Sequence, residues 1–70
     1  MKMSARNTIP GTVKEITRGP VNSEVVLEIA GGHEIVSMIT TNSVDRLGLA
    51  PGKKASAFFK ASNVMMIVDE

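Results

Sequence analysis

The chain has 70 residues, a net charge of +1, 43% hydrophobic residues and no cysteine. A domain of that size buries only about 60% of its unfolded surface, so its core is marginal unless a disulfide, a structural metal or oligomerisation supports it. The missing cysteines exclude disulfides and thiolate metal sites, the lone His33 cannot build a zinc site, and the balanced charge does not advertise nucleic acid or an anionic membrane.

In chain order, Met1 to Asn7 contains no apolar signal core, and no later apolar run is long enough to span a bilayer, so a cytoplasmic location is the default expectation. Val, Ile and Thr supply 19 residues, which favours strands over helices. A first strand is expected over Asn7–Thr17, with an edge position or a bulge near Pro10 because proline lacks an N–H. Arg18-Gly19-Pro20 marks a turn. In Ser23–Ile29, Val25, Leu27 and Ile29 alternate with Glu24, Val26 and Glu28, the period of a half-buried strand. Gly31-Gly32 suits a tight hairpin turn, and His33–Thr41 returns as a third strand, with Ile35, Ser37 and Ile39 on one face and Val36 and Met38 on the other.

A short helix follows, capped by Asn42 or Ser43 and stopped at Gly48. Ala50–Lys53 is a turn, Lys54–Lys60 a fourth strand, Ala61-Ser62-Asn63 a break and Val64–Val68 a fifth strand. The expected fold is all-β: a five-stranded OB-like small barrel with one short helix between strands three and four. A small open sandwich is the alternative. Residues 1–70 then form one domain, either in an oligomer or as a compact monomer.

Catalysis finds no constellation. His33 follows a glycine turn, Glu24 and Glu28 lie on a strand's polar face, and no glycine spacing fits a phosphate loop. An OB fold that binds nucleic acid needs aromatic platforms on a basic groove. Only Phe58 and Phe59 are aromatic, and strand alternation turns one of them inward. Nucleic-acid binding, or a regulatory interaction module, is the rival function, and the composition argues against nucleic acid as a partner.

Three segments are unusually polar. Ser4-Ala5-Arg6-Asn7 and Lys60-Ala61-Ser62-Asn63 each combine one cation with small donors, and Thr40-Thr41-Asn42-Ser43 stacks hydroxyls at the helix start. Singly, each is ordinary turn or cap chemistry. Together they would form a donor-only pocket with two positive charges, suited to a tetrahedral dianion that accepts at every oxygen.

Ser4-Ala5-Arg6-Asn7, Gly11-Thr12-Val13, Glu24–Gly32, Ile39–Leu49 and Lys60–Met65 together resemble the molbindins, also called molybdenum-pterin-binding proteins or Mop domains. The resemblance covers essentially the whole chain and departs at Pro10, where the family more often has an N–H. The same module forms the molybdate-sensing half of a transcriptional regulator and an accessory domain of molybdate-importer ATPases. The resemblance implies an OB-like subunit that exchanges a strand to form dimers, three of which make a hexamer. It implies that molybdate or tungstate is held at subunit interfaces, for intracellular storage or homeostasis, without a further cofactor. Ser4, Ala5, Arg6, Lys60, Ala61 and Ser62 would line one side of that site, and Thr40 and Ser43 of a neighbouring copy the other. Asn7 would support the loop, and the Gly19–Ser23 turn is the candidate for the family's second class of site. No stacking partner for a pterin is evident. An end at Glu70 without a linker favours a free-standing protein over a module of a sensor.

Overall fold

The computed structural model describes residues 2–69. Four strands, β1 (Asn7–Thr17), β2 (Asn22–Glu28), β3 (Glu34–Thr40) and β4 (Lys54–Phe59), form one antiparallel sheet in the order β3-β2-β1-β4. A single helix, α1 (Thr41–Leu47), joins β3 to β4. The expected ends of the first strand are met, and the alternation of Val25 and Leu27 points them both into the core.

β1 is long because it serves two partners in succession. Residues 7–12 pair with β4 and residues 12–17 pair with β2. Pro10 falls in the first half, where β2 does not run alongside, so the expected edge position is found. Register slips between Val13 and Glu15, leaving Lys14 as the extra residue of a bulge that bends the strand. At Gly11 any Cβ would lie 2.4 Å from the Glu28 carbonyl oxygen, so only glycine permits the close approach of the two strands there. Bulge and glycine together curl the sheet into a half-barrel, in which β2 and β4 touch across β1.

The core is small. Val13 and Val44 are each 1% exposed, Val25 and Leu27 are buried beside them, and Ile16, Ile29, Ile35, Ile39 and Leu49 pack around. Each such side chain contributes roughly 1.5–3 kcal/mol when fully buried. Helix α1 enters this core through Val44 alone among its buried residues.

Three expectations are corrected. The helix starts earlier than expected: its cap is Thr40, whose side chain accepts from the Ser43 N–H at 3.1 Å, rather than Asn42 or Ser43. The helix begins there because β3 delivers Thr40 in extended conformation with the Thr41 N–H already bonded to the Val21 carbonyl at 2.8 Å. Its end is as expected, with Gly48 in the left-handed region at φ 65°. The link between β2 and β3 is not a tight two-residue turn. It is a 3-10 turn over Ala30–Gly32 closed by an Ile29 N–H to His33 carbonyl bond of 2.8 Å.

The largest correction is the fifth strand. After a 3-10 turn at Ala61–Asn63, residues 64–68 carry no strand, and Met65 and Ile67 are 91% and 92% exposed. The segment has strand-forming residues but no ladder partner among the described residues, and a strand exists only by pairing. The five-stranded barrel is therefore a four-stranded half-barrel in the single copy.

Candidate oxyanion site

The β1–β4 ladder ends with Asn7 opposite Phe59. The segments just beyond that pair, Ser4–Arg6 before β1 and Lys60–Ser62 after β4, are thereby brought to one corner of the sheet. Ser4, Ala5, Lys60 and Asn63 share an open cleft of about 340 Å³, with Met3, Phe58 and Phe59 as its apolar walls. Among the described residues no carboxylate lines it. Cation, hydroxyl and amide donors on an apolar floor can hold an anion, and an anion with a proton to donate would lack an acceptor among the charged side chains.

Arg6, Ala61 and Ser62 flank this cleft without lining it, and all three are exposed. Asn7 is the first residue of β1, next to the Ser4–Arg6 segment it was expected to support. Asn63, read as part of the polar Lys60–Asn63 segment but left out of the expected site set, is a polar lining residue. Its signal is the spacing from Lys60, since the 3-10 turn closed by the Asn63 N–H on the Lys60 carbonyl at 3.0 Å stacks positions three apart.

Thr40 and Ser43 lie elsewhere. β1 runs from the cleft at Asn7 to Thr17, and the turn that follows it contacts α1: the Thr41 hydroxyl donates to the Gly19 carbonyl at 2.7 Å, and Arg18 pairs with Asp45 at 2.8 Å. Eleven strand residues span on the order of 30 Å. The two groups of predicted site residues therefore stand at opposite ends of β1 and do not converge within one copy.

Around α1 the hydroxyls are already sorted by their hydrogen bonds. Thr41 has one proton and gives it to Gly19, so Ser23, whose oxygen is 2.7 Å from that of Thr41, must be the donor between them. Ser23 is 1% exposed, and its proton is consumed inside the fold. Within the Gly19–Ser23 turn it has no proton left for a ligand. Thr40 donates to Ser43 Oγ at 2.7 Å, and Arg46 reaches the same oxygen at 3.3 Å. Of the polar run from Thr40 to Ser43, Thr41 thus belongs to the scaffold, whereas Thr40 and Ser43 remain together at the surface.

Residues 3–66 match the family model of the TOBE domain. The chain is 45% identical over 67 residues to molybdenum-pterin-binding protein 2 of Clostridium pasteurianum, covering 96% of this chain and 98% of that protein. It is 46% identical over 68 residues to the molybdenum transport protein ModE of Azotobacter vinelandii, where it covers 97% of this chain but spans only 25% of the relative. Among solved structures, the cytoplasmic molybdate-binding protein ModG, with molybdate bound, superposes with a TM-score of 0.90 at 55% identity, over 93% of this chain and 46% of that one. A TOBE-domain match over nearly the whole chain, full-length relatives and a shared fold agree, and the chain belongs to the TOBE-domain family, among its molybdenum-pterin-binding (Mop) members.

Proposed function

We propose that this chain binds molybdate, and tungstate with it, at sites completed only when copies assemble, and that it serves to store or buffer the oxyanion in the cytoplasm without catalysing a reaction. The observation that carries this reading is the split donor set. The Ser4, Ala5 and Lys60 cleft, flanked by Arg6, Ala61 and Ser62, is open on one side, while Thr40 and Ser43 stand at the far end of β1. A second copy that sets its α1 against the first copy's cleft would bring two cations and several hydroxyl and amide donors around one dianion. Charge-assisted bonds of that kind are roughly twice as strong as neutral ones.

Two further features support assembly. Val64–Val68 is a bare run of strand-forming and apolar side chains. The half-barrel meanwhile opens an apolar groove of about 240 Å³ lined by Leu27, Ile35, Ile39 and Ala57, among others. Exchange of the tail between two copies would add the missing fifth strand to each, and three such dimers give the hexamer that the family resemblance implies. The cytoplasmic setting follows that of ModG; no helix among the described residues is long and apolar enough to cross a membrane.

Equilibrium dialysis against sodium molybdate with metal analysis, run beside light scattering, tests the reading. Retained molybdenum on an oligomer is expected. A clean monomer that retains none would overturn it.

A further inference from the structure

Ser43 has one hydroxyl proton and two lone pairs. Its oxygen accepts from Thr40 Oγ1 at 2.7 Å and from Arg46 Nη2 at 3.3 Å. Two incoming donors fill that acceptor capacity, so neither bond uses Ser43's own proton. The Thr40 proton is committed to Ser43, and the Thr40 oxygen accepts from the Ser43 N–H at 3.1 Å. One hydroxyl proton in this group is therefore free, and it is on Ser43. Bonds in series polarise one another, and a cationic donor strengthens the effect.

The adjacent Asp45 is taken by Arg18, and Arg46 makes no ion pair among the described residues and places its guanidinium against a hydroxyl. Its helical spacing of three from Ser43 puts the two side chains on one face. We infer that Arg46 is a positioning residue of the oxyanion site. It holds the Ser43 oxygen so that the remaining proton points outward, as a polarised donor to a bound tetrahedral dianion. The inference rests on the molybdate reading above and adds a third cation, acting through Ser43, to Arg6 and Lys60.

Calorimetric titration with sodium molybdate of wild type, Arg46→Ala, Arg46→Lys, Ser43→Ala and the Ser43→Ala/Arg46→Ala double variant tests it, with circular dichroism as the check on folding and Arg6→Ala as a site reference. Arg46→Ala should weaken binding roughly three- to tenfold, and Arg46→Lys should recover part of the loss. In the Ser43→Ala background the arginine change should have no further effect, which a general loss of structure or of net charge would not reproduce. Unchanged affinity in Arg46→Ala while Arg6→Ala loses binding would overturn this inference alone. A loss undiminished without the Ser43 hydroxyl would do the same, by showing a long-range charge effect. A folded wild type that binds no molybdate would overturn the site reading and the role of Arg46 with it.

Discussion

Asn7 and Phe59 face each other as the last pair of the β1–β4 ladder, and this pairing sets Ser4 and Lys60 on one cleft. The residues themselves are an amide and a half-buried ring; what matters is that both flanking segments leave the sheet at the same corner.

From that corner the first prediction follows. Arg6→Ala and Lys60→Ala should each weaken molybdate binding about tenfold or more, because a charge-assisted bond in a partly desolvated site contributes roughly 1.5–3 kcal/mol and about 1.4 kcal/mol is a decade. Lys14→Ala, on the exposed bulge and paired with Glu34, should leave affinity near the wild-type value. Calorimetry that gives one affinity for all four proteins would remove the assignment of Arg6 and Lys60.

Deleting residues 64–70 removes the bare apolar tail while leaving the sheet, helix and cleft in place. The shortened protein is expected to scatter light as a smaller species and to retain less molybdate at equal subunit concentration. An unchanged assembly would show that the tail is not the strand exchanged between copies.

The hydroxyl pair beneath α1 makes an asymmetric prediction about stability. Thr41→Val leaves the Ser23 proton and the Gly19 carbonyl without their partner, a cost of roughly 1–3 kcal/mol, or about 4–8 °C of Tm for each kcal/mol. Ser23→Ala only frees a lone pair on Thr41, so it should cost less. Thermal melts without ligand that rank the two variants the other way would reverse the donor direction assigned here.

Anion selectivity is the fourth test. In competition against molybdate, tungstate should displace it on near-equal terms, sulfate weakly and phosphate poorly. Sulfate is smaller and leaves longer bonds to fixed donors, and phosphate at neutral pH carries a proton for which the cleft offers no carboxylate among the described residues. Sulfate competing as well as tungstate would point to a generic anion surface.

The Lys14–Glu34 pair gives a pH signature independent of ligand. The hydrogen bond and charge of Glu34 raise the Lys14 ammonium above its ordinary value. A raised folded-state value stabilises fully below the unfolded lysine value of about 10.4 and is lost as pH rises through the folded one. On the alkaline side, wild type should therefore lose its small advantage over Glu34→Gln as pH rises through the folded lysine value, and a difference that grows with pH there would contradict the sign.

Much of this architecture was legible in local pattern. The alternation through Val25 and Leu27, the stop at Gly48 and the opposite facing of Phe58 and Phe59 are set by neighbours a few residues away, and the structure shows each of them. The cap was expected too late, at Asn42 or Ser43, because what starts the helix at Thr40 is the end of β3 with the Thr41 N–H held by the Val21 carbonyl and its hydroxyl by Gly19 and Ser23, contacts distant in sequence. The tail at Val64–Val68 reads as a strand because strand propensity is local, whereas pairing is not. For the candidate site, the polar segments themselves were visible in the sequence. Their separation along β1 was not, because spacing in the chain says nothing about which end of a strand a segment reaches.

The cleft is also built by the least local pairing in the molecule. β2 and β3 are joined by a short link and pair residue for residue from Asn22↔Thr40 to Glu28↔Glu34, while the Asn7–Phe59 contact closes the whole span between residues 7 and 59 into a loop. Loop closure of that length precedes any gain from the contacts it makes, so such ladders form late and open early. The hairpin can therefore persist while the β1–β4 edge frays, and in that state Ser4 and Lys60 part company although most of the sheet survives. Amide exchange should then run ahead in β4 and the first half of β1, with molybdate slowing those positions more than β2 and β3; ligand capacity would disappear on warming before the fold does.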